Sequence, residues 1–188
     1  MALSALCAAN RAPKPLPGSG GPDPGFRYAY HFDAALIAGY LKDLAVGRGV
    51  TRVVADVVEV GQDTRGHLTH VLTDDGRRVE GDLFVDCTGF RGLLINKTLR
   101  EPFVSEGNHL LCDSAVALPA RHHPDGLRPY TSATARDHGW IWEIPLFDRE
   151  GTGYVYSSAT SAPDAAETQL RDHLGDRVLD DRGANHIK

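Results

Sequence analysis

The spacing of apolar residues changes along the chain from a helical period to a strand period. After Asp33, a residue type that caps helices, apolar side chains between Leu36 and Leu44 recur at helical spacing until Gly47. The pattern predicts a helix that packs one face on a sheet. The runs VTRVVADVVEV and HLTHVLT follow, and the second turns at residues 74–76 into RRVEGDLFVDCTGF. These runs predict consecutive strands with a tight hairpin.

The run from Asp82 to Cys87 is nearly continuously apolar and ends in Thr88-Gly89. Such a run is typical of a buried parallel strand, whose carboxyl end reaches a ligand crevice. A glycine at that end lets a phosphate-bearing ligand approach the backbone closely.

Beyond Pro102 the pattern predicts strands joined by short polar turns, without intervening helices. A mostly antiparallel sheet is therefore expected. The predicted strands are residues 115–118, 130–136, 139–145 and 151–157. A helix is predicted to start near Pro163 and Asp164, and the polar ending ANHIK is expected to form no element. The predicted fold class is α/β (α+β).

Both tryptophans of the chain lie within three residues, at Trp140 and Trp142. In a strand, side chains alternate between the two faces, so both indoles are expected on one face of the sheet. Two interpretations follow: the indoles belong to the hydrophobic core, as such pairs usually do, or they line the wall of a ligand tunnel.

Composition and charge exclude several function classes. The chain has 188 residues, of which 41% are hydrophobic and 24% charged, as in ordinary globular domains. A net charge of -5 without a basic cluster argues against nucleic acid and anionic membranes as partners. The amino-terminal residues resemble neither a secretory signal nor a membrane span, so a cytoplasmic protein is expected. Cys7, Cys87 and Cys112 are predicted to be reduced core thiols, and no metal site is expected.

Two motifs are rejected as binding sites. Gly18 and Gly20 could begin a G-x-G-x-x-G phosphate loop inside the predicted loop of residues 13–25, but Asp23 occupies the third glycine position. His67 and His70 lie three residues apart in a predicted strand, so they face opposite sides and make a poor ligand pair. We expect solvated histidines.

Several stretches together resemble the flavin-dependent tryptophan halogenases. They are YAYHFDA (28–34), DLFVDCTGFRGLLIN (82–96), LLCDSAVAL (110–118), PYTSATA (129–135), GWIWEIP (139–145) and GTGYVYSS (151–158). The most specific is W-x-W-x-I-P, formed here by Trp140, Trp142, Ile144 and Pro145; it sets halogenases apart from related flavin monooxygenases. The resemblance implies that these four residues line the passage between flavin and substrate, which favours the tunnel wall over the core.

The resemblance also implies a chemistry and a cofactor. Such enzymes are oxidoreductases that chlorinate or brominate an aromatic carbon, usually of an indole such as tryptophan, with reduced FAD, oxygen and halide. Reduced FAD comes from a separate flavin reductase, the implied partner. A dry, apolar tunnel protects a reactive oxidant from water. The oligomeric state, a homodimer included, is left open, as are the ring position attacked and the choice between chloride and bromide.

By resemblance, Val57, Thr88 and Gly89 bind the cofactor, although a core valine is the simpler interpretation of Val57. The implied division is a loop-rich lead-in (1–27), part of a Rossmann-like FAD-binding domain (28–100) and part of a substrate-side antiparallel sheet with a helix (101–188).

The sequence departs from the family pattern in its catalytic residues. The strand, G-x-G-x-x-G turn and helix that open the family are not recognisable here, nor is the essential lysine, and the essential glutamate belongs to a region beyond Lys188. Neither Lys42 nor Lys97 stands in the corresponding motif. No catalytic residue is therefore assigned, and the chain alone is expected to be inactive. A flavin-dependent aromatic monooxygenase and a non-catalytic remnant of the fold are the alternatives.

Overall fold

The computed structural model describes residues 3–11, 18, 29–179 and 183–188. The chain forms two compact units, one of residues 1–40 with 106–188 and the other of residues 41–105. The assignment of residues 28–100 to an FAD-binding domain and of 101–188 to a substrate-side domain stays a prediction. The glycine-rich segment of residues 13–25 lies outside the described residues, except for Gly18.

Helix α1 spans Leu3–Ala8 and helix α2 spans Ala34–Gly47. The predicted cap of α2 is confirmed, because Asp33 Oδ1 accepts hydrogen bonds from the backbone N–H groups of Ala35 (2.8 Å) and Leu36 (3.2 Å). The predicted packing of α2 on a sheet is wrong for this chain. The helix has no buried residue, since nothing within the described residues covers its apolar stripe.

The unit of residues 41–105 contains a three-stranded antiparallel sheet. Its strands are β1 (Val57–Gln62), β2 (Leu68–Thr73) and β3 (Arg78–Glu80), in that spatial order. The predicted hairpin at residues 74–76 is confirmed as the turn between β2 and β3. His67 is exposed and lies 3.3 Å from Asp63, whereas His70 is half-buried.

The prediction of a buried parallel strand at Asp82–Cys87 is wrong. This segment pairs with no strand of the described chain, and Leu83 and Val85 are exposed. A parallel strand is buried only between neighbouring strands and covering helices, and the described residues provide neither here. The segment leads into a 3₁₀ turn (Gly89–Arg91) and a short π-helical turn (Leu93–Thr98).

The larger unit is built on a five-stranded antiparallel sheet, which confirms the sheet predicted beyond Pro102. The spatial order is β5-β6-β7-β4-β8. The strands are β4 (Ser114–Ala120), β5 (Ser132–Arg136), β6 (Gly139–Pro145), β7 (Glu150–Tyr156) and β8 (Asn185–Ile187). Strand β8 corrects the expectation that the ANHIK ending forms no element: its backbone pairs with β4, and backbone pairing does not require an apolar sequence.

Helix α3, predicted from Pro163 and Asp164, spans Pro163–Leu174 and covers one face of this sheet. Its buried residues Ala166, Leu170 and Leu174 pack against inward-facing side chains of β4, β6 and β7. The spacing of these three residues places them on one helical face. This contact forms the main hydrophobic core of the unit.

The cysteine prediction was wrong about burial. Cys7, Cys87 and Cys112 are free, but Cys87 and Cys112 are exposed and Cys7 is half-buried. Among the described residues, no group of three or more histidine, cysteine or acidic side chains is placed to hold a metal ion. None of the helices described here is long and apolar enough to cross a membrane.

Candidate functional site

The five-stranded sheet has one face covered by α3 and one face that α3 leaves open. Along β6, the side chains of Ile141, Glu143 and Pro145 are buried, whereas those of Trp140, Trp142 and Ile144 are exposed or half-buried. The period of two therefore places both tryptophans on the open face, as the sequence predicted.

The two indoles lie beside each other on this open face. Their ring centroids are 6.1 Å apart and their planes are tilted by 58°. Trp140 is 41% exposed, and neither indole belongs to the buried core that α3 covers. Within the described chain the indoles thus form an aromatic surface next to solvent, which is the arrangement that a tunnel wall requires. Their role as a tunnel wall stays a prediction.

Small residues surround the two indoles and give them room. The residues directly opposite Trp140 are Ala135 on β5 and Val155 on β7. Those opposite Trp142 are Ala133 and Gly153. Directly opposite residues share one face of a sheet, so alanine, glycine and valine form the floor around the tryptophans.

Gly153 makes the seating of Trp142 possible. A Cβ atom at position 153 would collide with the six-membered ring of the Trp142 indole and would lie 2.7 Å from the carbonyl oxygen of Val116. The indole therefore rests directly on the backbone of β7. Gly153 cannot be identified from the sequence, because the register between β6 and β7 decides which residue faces Trp142.

The other two residues of the motif are divided between the faces. Ile144 is half-buried on the open face together with the indoles, whereas the ring of Pro145 is buried on the opposite face. Pro145 is also the last residue of β6. The structure therefore brings Trp140, Trp142 and Ile144 together on the open face. Pro145 follows them in sequence as the last residue of β6, with its ring on the covered face.

A buried network of charges lies directly behind the tryptophan strand. Arg177 Nη2 lies 2.6 Å from Glu143 Oε1, and Arg177 Nη1 lies 2.9 Å from Glu150 Oε2. Arg128 Nη2 lies 3.2 Å from Glu150 Oε1, and His173 Nε2 lies 3.2 Å from Glu143 Oε2. Two carboxylates thus face two guanidinium groups, so the buried charges balance.

Glu143 remains ionised in this network. Burial raises the pKa of Glu143, but the hydrogen bonds from Arg177 and His173 outweigh burial and hold this pKa below its usual value. Glu143 and Glu150 are not among the residues that the sequence predicts for the site. Strand alternation could have identified Glu143, because it occupies the same inward parity as Ile141 and Pro145.

Thr88 and Gly89 lie in the other unit, in a turn organised by Asp86. One carboxylate oxygen of Asp86 accepts the Thr88 hydroxyl (2.7 Å), and the other accepts the backbone N–H groups of Leu94 (2.8 Å) and Ile95 (3.0 Å). The Thr88 hydroxyl and these N–H groups lower the pKa of Asp86 to about 2. Thr88 Oγ1 also accepts the N–H of Leu93 (2.8 Å), so its hydroxyl shapes the turn.

Gly89 and Val57, which the sequence assigns to the cofactor, differ in their surroundings. Gly89 has a φ of +64°, and a Cβ atom there would meet nothing within 4 Å, so a ligand can approach the backbone closely. Val57 is half-buried at the start of β1. These residues do not form a phosphate-binding loop by themselves. The contact of Val57, Thr88 and Gly89 with FAD stays a prediction.

Comparison with known proteins finds relatives among the tryptophan halogenases. The sequence profile of the tryptophan halogenase family matches residues 2–188. KtzR from Kutzneria sp. (strain 744), a 7-chloro-L-tryptophan 6-halogenase, is 54% identical over 165 residues, which cover 87% of this chain and 32% of KtzR. The tryptophan 7-halogenase RebH from Lentzea aerocolonigenes is 49% identical over 161 residues, covering 84% of this chain and 30% of RebH.

A solved structure shows the same fold. Tar14, a tryptophan C-6 flavin-dependent halogenase (chlorinase) from taromycin biosynthesis, superimposes with a TM-score of 0.88 at 49% identity, covering 98% of this chain and 38% of Tar14. The chain spans about a third of the length of these relatives. By its sequence profile, its relatives and its fold, the chain belongs to the tryptophan halogenase family.

Proposed function

We propose that the protein takes part in FAD-dependent halogenation of an aromatic substrate, either tryptophan or another indole. The supporting observation is the open face of the five-stranded sheet, on which the indoles of W-x-W-x-I-P stand side by side in a chain of the tryptophan halogenase family. The names of KtzR and RebH give tryptophan compounds as the substrates of those relatives. Chlorination and bromination are both included in the proposal.

In this proposal Trp140 and Trp142 form one wall of the passage between flavin and substrate. Reduced FAD, when bound, would supply the electrons for the reduction of oxygen, and the halogen oxidised in that reaction would replace a hydrogen on the aromatic carbon, which leaves as a proton. The indoles keep water away from the oxidised halide, because they present apolar surface over a floor of alanine and glycine. On the opposite face of the sheet, Glu143 and Glu150 pair with Arg177 and so support β6 and β7.

Val57, Thr88 and Gly89 are proposed to contact one flank of FAD. The positive φ of Gly89 leaves its backbone open to a ligand, and Asp86 fixes the turn through Thr88. A separate flavin reductase is proposed to supply the reduced cofactor. It would act through diffusing reduced FAD or through a transient complex.

A chimera tests the proposed function. Residues 29–188 replace the corresponding part of Tar14, and the chimera is incubated with tryptophan, FAD, a flavin reductase and chloride or bromide. Chlorinated or brominated tryptophan, detected by mass spectrometry and dependent on halide, is the expected result. Hydroxylated tryptophan would identify a monooxygenase instead. A chimera that folds and binds FAD but forms no product would indicate a non-catalytic remnant.

A further inference from the structure

The segment just before α2 contacts the end of the tryptophan strand. His31 Nδ1 lies 2.9 Å from the carbonyl oxygen of Pro145, although 114 residues separate the two in sequence. His31 Nε2 lies 3.2 Å from the hydroxyl of Thr131. A carbonyl oxygen only accepts hydrogen bonds, so Nδ1 carries a proton, and in the neutral ring Nε2 then accepts from the hydroxyl of Thr131. The contacts on both nitrogens therefore orient the ring.

A second contact holds the other side of the same turn. The turn between β6 and β7 is closed by a hydrogen bond from the N–H of Leu146 to the carbonyl oxygen of Arg149 (2.8 Å). Arg149 Nη2 lies 2.7 Å from Asp33 Oδ2, while the other oxygen of Asp33 caps α2. The three-residue segment 31–33 thus contacts the turn at both Pro145 and Arg149.

No strand of the described residues pairs with the carbonyl group of Pro145. Leu146 and Arg149 form the hydrogen-bonded pair next to Pro145 and Glu150, so in this antiparallel ladder the carbonyl group of Pro145 points away from β7. On that side β5 reaches only as far as Ser132, which lies opposite Glu143. His31 adds a bond to the carbonyl group of that proline, three residues beyond Trp142.

We propose that His31 is a positioning residue of the tryptophan strand: its Nδ1–H holds the carbonyl group of Pro145 and so fixes the end of β6 that carries Trp142 and Ile144. His31 acts through Pro145 and is not assigned to the chemistry. The consequence for catalysis rests on the proposed halogenase function. The placement of β6 by His31 does not rest on that function. An experiment can therefore contradict the positioning role and leave the halogenase function standing, or the reverse.

Three substitutions separate the two nitrogens of His31. The amide nitrogen of His31→Asn stands near the position of Nδ1, that of His31→Gln stands near Nε2, and His31→Leu has neither. Amide hydrogen exchange at Leu146 reports the opening of the turn. Tryptophan fluorescence with acrylamide quenching reports the indoles, because Trp140 and Trp142 are the only two in the chain.

We expect Leu and Gln at position 31 to speed exchange at Leu146 about fivefold, since one net hydrogen bond is lost, and to increase quenching of the indoles. In the His31→Asn variant, the exchange rate at Leu146 and the quenching of the indoles should stay close to those of the unsubstituted protein. His109→Asn is the matched control, because it removes an exposed imidazole from the same unit, and no change is expected.

Equal behaviour of Asn and Gln, or unchanged exchange in the Leu variant, would overturn the proposal. If the Leu variant does not fold, the comparison of Asn with Gln still decides, because both keep a polar side chain at position 31. Faster exchange with unchanged quenching would also contradict it, since the turn would then open without moving the strand.

Discussion

At the scale of single residues, the open face of the sheet depends on pairing large side chains with very small ones. Trp142 occupies space that any side chain at position 153 would fill. Gly151 lies two residues earlier on β7 and on the same face, but a Cβ atom there would meet its neighbours only at 3.9 Å. The two glycines of one strand therefore have different tolerances.

We predict that Gly153→Ala displaces the indole of Trp142 and destabilises the protein by about 1–3 kcal/mol, because overpacking forces side chains and backbone to shift. Gly151→Ala is the matched control and should change stability by less than about 1 kcal/mol, since its new methyl group makes only ordinary contacts. Denaturant unfolding monitored by tryptophan fluorescence measures both. Equal effects of the two substitutions would show that Gly153 has no special role.

Some features of individual residues could be predicted from the sequence and others could not. The strand period of two was enough to place Trp140 and Trp142 on one face. The partner Gly153 could not be predicted, because it depends on the register between two strands. The partners of Glu143 come from distant parts of the chain, so spacing alone does not reveal them.

At the scale of elements, buried charges connect the tryptophan strand to its surroundings. Glu143 on β6 and Glu150 on β7 both contact Arg177, which follows α3. Arg128, in the connection before β5, contacts the same carboxylates. Removing one guanidinium group leaves two buried carboxylates with a single arginine, and an uncompensated buried charge is costly.

We predict that Arg177→Met lowers the free energy of unfolding by about 3–5 kcal/mol, as expected for breaking a buried ion pair. Arg171→Met is the control: Arg171 pairs with Glu167 across one turn of α3 in a partly exposed position, so its loss should cost less than about 1 kcal/mol. Chemical denaturation at neutral pH gives both values. A small effect of Arg177→Met would mean that packing, rather than ion pairing, stabilises the covered face of β6 and β7.

Helices and strands with local sequence signals were predicted correctly, whereas those that depend on contacts with distant parts of the chain were not. The hairpin of β2 and β3, the four strands β4 to β7 and helix α3 have local signals, and all were predicted. A strand at Asp82–Cys87 and the packing of α2 on a sheet both require neighbours that the described residues do not provide. The apolar sequence of these segments therefore led to two wrong predictions. Strand β8 is not predicted by the sequence pattern, because it has only three residues and two of them, Asn185 and His186, are polar.

At the scale of the whole molecule, cofactor binding is where the chain and its relatives should differ. Val57, Thr88 and Gly89 are proposed to contact FAD, but the described residues include no phosphate-binding loop with backbone N–H donors at a helix start. The chain also spans about a third of the length of relatives such as KtzR. The pyrophosphate of FAD would therefore lack its usual donors.

We predict that the 188-residue chain binds FAD with a dissociation constant weaker than about 1 μM, which corresponds to less than about 8.2 kcal/mol of binding free energy. Flavin fluorescence titration measures this directly, and full-length Tar14 titrated in parallel is the positive control. Sub-micromolar binding by the chain alone would show that its own residues suffice for the cofactor.

The most direct test of the halogenase account is the double substitution of Trp140 and Trp142 by phenylalanine in the Tar14 chimera. Thermal unfolding is compared with the rate of halogenated tryptophan formation per folded molecule. Tyr154→Leu, on the face covered by α3, is the control for a pure core effect and should lower stability by about 1–3 kcal/mol without changing turnover per folded molecule.

The account predicts that the double phenylalanine variant keeps its stability but loses halogenation, because phenylalanine is smaller than tryptophan and lacks the indole N–H. Loss of about 1–3 kcal/mol in stability with unchanged turnover per folded molecule, as expected of core residues, would contradict the assignment of the two tryptophans to the wall of the halogenation site.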